Sequence, residues 1–326
     1  MIPNGLRPRA QAGAELGARL RERDLGAAPA ALNLIENRTP AAREQVAALL
    51  AEVSPARLGG EAPAHVVGVT GPPGAGKSTL LSALVRVWRE RGRNVGVLAV
   101  DPSSKRSGGA LLGDRARIDA DPADRGIFIR SMAAGERLGG LAPATRAAAQ
   151  ALAAAFDVVV VETVGVGQSE TEVAEAADTV AVVVQPGSGD VLQFLKAGIM
   201  EVPDVLVVTK SDLGTVAQRA VRDLRAALRS LGDDAPVVPV SSIHPVVGIG
   251  ELADALDAHR EALDLSATRT RARRLGALAD YVAEHGERGL RALGGRRAAE
   301  RFLAEQDEAL EGPALVRALE QRAAGA

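Results

Sequence analysis

The sequence predicts a doubly wound α/β domain built on a mostly parallel sheet, with helical extensions at both ends. Three observations predict it. Between His65 and about Asp264, short apolar runs alternate with stretches of helical spacing. The runs are nearly all apolar rather than alternating, as expected for strands buried on both faces of a parallel sheet. A glycine-rich segment, Gly71 to Thr79, stands between the first run and a helix.

Met1 to about Ala64 reads as helical. Ala31 to Asn37 and Ala41 to Val53 have helical spacing, with Val46, Leu49, Leu50 and Val53 on one face and Pro40 suited to a first turn. Pro55 to Pro63, with Gly59 and Gly60, reads as a linker. The strands expected are Val66–Thr70, Val95–Val100, Val158–Val161, Val180–Val184, Val205–Val208 and Val237–Val240, with Ile127–Ile129 as a short addition. After the first strand, Leu80, Leu81, Leu84, Val85 and Trp88 form one stripe, and Gly92 stops the helix. Val221, Leu224 and Leu228 mark another helix before the last strand.

The tail, Ser266 to Ala326, is helical again, broken at Gly294-Gly295 and Gly312-Pro313. Its apolar stripe (Leu275, Leu278, Val282, then Leu303, Leu310, Leu315, Leu319) must pack on the α/β domain or on a second copy. Arg269, Arg271, Arg273 and Arg274 read most simply as a solvated helix face. The divisions expected are therefore 1–64, 65–264 and 265–326.

Composition removes several function classes. Across 326 residues, 39 Lys and Arg balance 41 Asp and Glu for a net charge of −2, which gives no reason to invoke nucleic acid or an anionic membrane. No apolar run reaches membrane-spanning length and Met1 to Arg23 holds no apolar signal core, so a soluble cytoplasmic chain is expected. There are no cysteines, hence no disulfide and no thiolate metal site. The four histidines, His65, His244, His259 and His285, are scattered and read as surface or loop residues rather than metal ligands. Aromatics make up 2% of the chain, so Ala, Val and Leu must build the core.

Gly71-Pro72-Pro73-Gly74-Ala75-Gly76-Lys77-Ser78-Thr79 is a complete GxxxxGK[ST] phosphate loop, flanked by the strand and helix its physics requires. Glycines let backbone N–H groups turn inward at a helix N-terminus, where the dipole favours anionic oxygens. Lys77 can reach the outer phosphates and the Ser78 hydroxyl can ligate Mg²⁺. Asp101, at the end of the second strand, and Asp114, in Gly113-Asp114-Arg115, are further candidates for the metal environment.

The tetravaline run ending in Glu162, with Gly165 three residues on, has the pattern that senses a γ-phosphate: carboxylate towards Mg²⁺, glycine N–H towards phosphate. Thr209-Lys210-Ser211-Asp212 reads as the base-selecting element. Asp212 can accept from both N1–H and the exocyclic amine of guanine, a donor pair that adenine lacks. The usual first residue of such a motif is Asn; here it is Thr209, while Lys210 can brace the phosphate loop. Ser241-Ser242-Ile243 offers backbone contact to the base.

The candidate catalytic set is Lys77, Asp101, Glu162 and Lys196. The nucleotide set is Gly71, Gly74, Ala75, Gly76, Lys77, Ser78, Thr79, Gly165, Thr209, Lys210, Asp212, Ser241, Ser242 and Ile243. Val166 occupies the position where Ras-like enzymes carry a water-positioning Gln, which predicts slow intrinsic hydrolysis. A partner or another loop would then supply the missing group. Gln185 to Asp190, followed by Gln193 and Lys196, is either such a nucleotide-responsive loop or an ordinary strand-to-helix turn capped by Asp190.

These motifs together resemble the MeaB/ArgK/MMAA family, a branch of the SIMIBI-type P-loop GTPases. The resemblance is carried by GPPGAGKST at Gly71, AVDPSS at Ala99, GGALLGD at Gly108, LGG at Leu138, VETVGVGQSE at Val161 and PGSGDVLQFLKAGIMEVPD at Pro186. It implies a P-loop NTPase fold and a GTPase chaperone for an adenosylcobalamin-dependent acyl-CoA mutase such as methylmalonyl-CoA mutase. It also implies bound GTP or GDP with Mg²⁺ held around Ser78, Asp101, Asp114 and Glu162, and a switch loop carrying Asp190, Gln193 and Lys196. A homodimer built through the C-terminal tail follows from the same resemblance. Competing readings are an ATPase or kinase linked to basic amino-acid transport, and a nucleotide-sensing scaffold without turnover. A nickel metallochaperone would want a Cys/His delivery site that this composition lacks, and a signal-recognition GTPase a Met-rich groove.

Overall fold

The computed structural model describes residues 7–101, 118–133, 143–163, 173–174, 176–187 and 203–325. In chain order its regular elements begin with α1 (Arg7–Arg21), α2 (Ala28–Glu36), α3 (Pro40–Glu52) and α4 (Pro55–Leu58). Next come β1 (His65–Thr70), α5 (Lys77–Glu90), β2 (Val95–Asp101), β3 (Ile127–Ala133), α6 (Pro143–Ala153), β4 (Val158–Thr163) and β5 (Thr179–Val184). The remainder is β6 (Val205–Val208), α7 (Thr215–Leu231), β7 (Val237–Pro239), α8 (Ile249–Ala262), α9 (Leu265–Ala292), α10 (Arg296–Ala304) and α11 (Gly312–Ala324). Contacts divide the chain into two units: residues 65–142 with 156–263, and residues 1–64, 143–155 and 264–326.

The first of these units is a seven-stranded sheet in the order β3-β2-β4-β1-β5-β6-β7, with every strand pair parallel. β1 lies at its centre, where Val69 aligns with Glu162 on β4 and Ala181 on β5. β1, β4 and β5 are buried along their whole length, so the uniform apolar runs follow from coverage of both faces. α5 buries Leu80, Leu81, Leu84, Val85 and Trp88, the stripe read from the sequence. They join Val67, Val97, Val160, Val183, Leu252 and Leu256 in a core dominated by Val and Leu.

The polar residues at the opposite end of this sheet were not foreseen. His65, expected at the surface, is 2% exposed at the start of β1. Its Nε2 lies 2.8 Å from Thr179 Oγ1, and that hydroxyl lies 2.9 Å from His259 Nδ1. His259 Nε2 is 3.2 Å from Asp204 Oδ1, and Asp204 Oδ2 accepts from the Val180 N–H at 2.7 Å. Burial pushes the His65 pKa down, against the pull of Asp257 and Asp178. Burial also pushes the Asp257 carboxyl up, but His65 and the Arg93 guanidinium at 2.7 Å outweigh it and hold Asp257 at about 2.

The second unit gathers both chain ends around α6. α1 and α3 meet closely because Gly13 and Gly17 present no side chain: a Cβ on Gly17 would sit 2.5 Å from the Leu49 carbonyl oxygen. α3 starts where Thr39 Oγ1 accepts from the Ala42 N–H at 3.3 Å, with Pro40 in the first turn. In the tail, Leu278, Tyr281, Leu293, Leu303, Leu315 and Leu319 form one cluster, with Val282 and Leu310 packed against it. The stripe that was expected to need the α/β domain or a second copy is therefore covered by the tail's own helices from Leu278 onward, while Leu275 is exposed.

The arginine-rich stretch also corrects its reading as a solvated face. Arg269 donates to the Ala62 and Ala64 carbonyls at 2.6 Å each, and Arg274 to that of Gln306 at 2.9 Å. Arg273 grips both Glu61 oxygens at 2.9 and 2.8 Å and also donates to the Glu308 carbonyl at 2.8 Å. Of the four, Arg271 is the exposed one. These guanidiniums satisfy backbone carbonyls that no helix or strand can reach.

Candidate functional site

The phosphate loop runs from the end of β1 to the start of α5. Gly71 has φ 141°, and a Cβ there would lie 2.1 Å from the Val183 carbonyl oxygen, so the turn off β1 demands glycine. Gly74 and Gly76 also have positive φ, with Gly76 placed as the residue before α5. Lys77 is 8% exposed and folds back over the loop, its Nζ donating to the carbonyls of Gly71 at 2.7 Å and Pro72 at 3.2 Å. An ammonium arched across the loop stands where it can meet anionic oxygens held by the loop's N–H groups. Ser78 and Thr79 occupy the next positions of α5.

Glu162 is brought to this loop by the β1–β4 register. It is 3% exposed, and its Oε1 accepts from Ser78 Oγ at 3.2 Å. One residue on, Thr163 Oγ1 donates to Thr70 Oγ1 at 3.0 Å, tying the ends of β4 and β1 together. Asp101 ends β2, and its neighbour Val100 aligns with Thr163 of β4, so the two strands end at the same edge of the sheet. The donor set at Ser78 and Glu162 is all oxygen, a hydroxyl beside a carboxylate at a helix N-terminus, and it fits Mg²⁺ chemically.

The base-reading element follows β6. Thr209 is 4% exposed, and its hydroxyl lies 2.7 Å from the Ala75 carbonyl of the phosphate loop and 3.2 Å from that of Val184. Lys210 takes φ 54°; its Nζ reaches the Gly74 carbonyl at 3.4 Å and bonds the Gln185 side chain. Asp212 is exposed, and its Oδ1 accepts from Ser241 Oγ at 3.0 Å. Ser241 is positioned by an antiparallel bridge to Val247 and lies 3.2 Å from the Ile243 carbonyl. Ser242 is half-buried and the Ile243 side chain 58% exposed.

Gly71 to Thr79, Glu162, Thr209, Lys210, Asp212 and Ser241 thus converge on one edge of the sheet. Asp114, Gly165, Val166, Asp190, Gln193 and Lys196 lie outside the described residues. The Thr209 to Ala75 contact spans 134 residues of sequence, and no local pattern announces it. Lys210 as a brace was legible; its partner Gln185 was not.

A parallel sheet with a glycine-rich loop between its central strand and a helix, and an acidic strand end beside that loop's serine, defines a P-loop nucleotide-binding protein. The chain belongs to the family described as "Methylmalonyl Co-A mutase-associated GTPase MeaB", which it matches over residues 28–288. A relative from Pyrococcus abyssi that carries a GTPase name is 45% identical over 261 residues, 77% of each chain. "GTPase ArgK" of Escherichia coli is 41% identical over 205 residues, 61% of this chain and 59% of that protein. "Methylmalonic aciduria type A homolog, mitochondrial" of Mus musculus is 42% identical over 171 residues, 51% of this chain and 40% of its own length. Among solved structures, the crystal structure of an LAO/AO transport system kinase superposes with a TM-score of 0.64 at 29% identity, covering 98% of both chains. Among the described residues no helix is long and apolar enough to cross a membrane.

Proposed function

We propose that this chain is a Mg²⁺-dependent GTPase that acts as chaperone and gatekeeper for an adenosylcobalamin-dependent acyl-CoA mutase of the methylmalonyl-CoA mutase type. The observation that carries the guanine reading is the Asp212–Ser241 pair beside a complete phosphate loop. The Ser241 hydroxyl orients one carboxylate oxygen at 3.0 Å and leaves the carboxylate able to accept from a base with two adjacent donors. The mutase comes from family membership, through the names of the family and of its relatives.

The loop N–H groups and Lys77 would hold the β- and γ-phosphates and stabilise charge as water attacks the γ-phosphorus in line. Ser78 and Glu162, with Asp101 and Asp114 as further candidates, would hold Mg²⁺, which supplies neutralisation of phosphate charge. With Val166 in the water-positioning place, turnover by the chain alone would be slow. Gly165 would meet the γ-phosphate, and Asp190, Gln193 and Lys196 would form the segment that answers to the client. The working unit is a homodimer, and because the tail's helices cover its apolar stripe from Leu278 onward, the contacts draw on Leu275 or on other surfaces.

A second reading, an ATP-dependent kinase, is favoured by the name of the superposed transport system kinase. Asp212 weighs against it, since adenine offers no paired donors. The deciding experiment is nucleotide hydrolysis by the purified chain, alone and with an adenosylcobalamin-dependent acyl-CoA mutase of the same organism. The expected result is a slow GTP rate that rises at least tenfold with the mutase. Preference for ATP would overturn the guanine assignment, and an unchanged GTP rate would overturn that mutase as client.

A further inference from the structure

We infer that Thr209 is a positioning residue that clasps the base-reading strand end to the phosphate loop, and that base selection therefore leaves purine N7 unread by this position. The inference rests on the guanine-nucleotide reading above and concerns how the same site divides its work. A threonine hydroxyl carries one hydrogen. Both polar neighbours of Thr209 Oγ1 are carbonyl oxygens, Ala75 O at 2.7 Å and Val184 O at 3.2 Å, and carbonyls only accept. The hydrogen must point at one of them, because turning it away would set lone pairs against an oxygen 2.7 Å off. Thr209 is 4% exposed and Ala75 fully buried, so water does not replace that bond.

Purine N7 is an acceptor and needs a donor. An asparagine at this place would carry two amide hydrogens and an acceptor, enough to hold the loop and address N7 together. Threonine does the first task only. Its backbone N–H is spent as well, on the Val184 carbonyl at 2.9 Å. The neighbouring cation is directed at the loop as well, with two of the three Lys210 Nζ hydrogens given to Gly74 O and Gln185. Discrimination then falls on the Watson–Crick edge, through Asp212 steadied by Ser241. The clasp has a second effect: the residue that opens the base-reading element is anchored to the residue just before Gly76 and Lys77, so the two ends of the nucleotide site are mechanically one piece.

The test is calorimetric binding of GDP, 7-deaza-GDP and IDP to the intact protein and to Thr209→Asn and Thr209→Val. For the unaltered protein, 7-deaza-GDP should bind within about twofold of GDP, whereas IDP, lacking the 2-amino donor, should bind at least about tenfold more weakly. Thr209→Asn should create a preference for GDP over 7-deaza-GDP. Thr209→Val should weaken both by the same factor, and Thr209→Ser, measured as a third variant that keeps the hydroxyl, should bind both as the parent does. A tenfold loss on 7-deaza substitution in the unaltered protein would overturn the inference without any variant. Undiminished binding by Thr209→Val would overturn the clasp. Failure of GDP itself to bind would instead overturn the guanine reading on which it rests.

Discussion

Asp212→Asn exchanges one oxygen for an NH₂ group, and the surroundings decide which way the new amide faces. The Ser241 hydroxyl has one hydrogen and two acceptors in reach, Oδ1 at 3.0 Å and the Ile243 carbonyl at 3.2 Å; kept on the nearer of the two, it holds the amide oxygen and turns the NH₂ to the base. There it meets N1–H and the 2-amino group of guanine, donor against donor. Two charge-assisted hydrogen bonds are lost. At about 1.5 kcal/mol each, the low end for a solvent-exposed carboxylate, the loss is about 3 kcal/mol, on the order of a hundredfold in Kd. Xanthine places a carbonyl where guanine has its amine, so XDP should bind the variant better than it binds the parent protein. Competitive calorimetry with GDP and XDP reads both changes on one sample, with circular dichroism as the check on folding. A variant that keeps the parent's GDP-to-XDP ratio would remove Asp212 as the base reader.

Three further outcomes are expected. Lys77→Ala removes the ammonium that arches over the Gly71 and Pro72 carbonyls, and guanine nucleotide affinity should fall by about a hundredfold or more while the fold persists; equilibrium binding and circular dichroism check both. Arg273→Ala strips Glu61 of its fork where both side chains are about one-tenth exposed, at 12% and 11%, so stability should drop by about 2–4 kcal/mol, seen as a melting point several degrees lower. Replacing both partners by Met should recover much of that, and a single variant that melts with the parent would refute the assignment. Acid should destabilise the protein in two stages. The His65 pKa is depressed, so the unfolded chain takes up its proton first and stability declines as pH falls below about 6.5. Asp257, held at about 2 against the ordinary aspartate value of 3.8, contributes stability that is whole above 3.8 and lost as pH falls towards 2. With its partial exposure that amounts to about 1–2 kcal/mol. Urea titrations at stepped pH should show the lower stage shrink in Asp257→Asn.

The sheet and its loop were legible because their determinants are local. Uniform valine runs betray burial on both faces, and Gly71 to Thr79 must have its residues in sequence to work at all. The acidic end of β4 was legible for the same reason, since Glu162 is the first charge after four valines. What stayed hidden is pairing at a distance. Nothing near His65 foretells that it shares a threonine hydroxyl with His259. An arginine-rich stretch reads as solvated until carbonyls such as Ala62, 207 residues away, are seen to need its donors. The tail's stripe gave its periodicity correctly but not its partner, which for every member except the exposed Leu275 turned out to be the tail itself. Thr209 could be seen as a departure from asparagine; that its one hydrogen belongs to Ala75 required the fold.

The path of the chain through α6 bears on how this protein can be cut. Residues 143–155 sit between β3 and β4 in sequence, yet they belong with the helices of the two chain ends. Thr145, Ala148, Ala151 and Leu152 of that helix are fully buried. A fragment trimmed to 65–263 would keep α6 and discard the helices that cover it, leaving an oily strip uncovered. Such a fragment invites precipitation rather than study. Anyone shortening this protein for crystallography or for fusion would have to recoat that strip with polar residues, or splice across it, before removing either end.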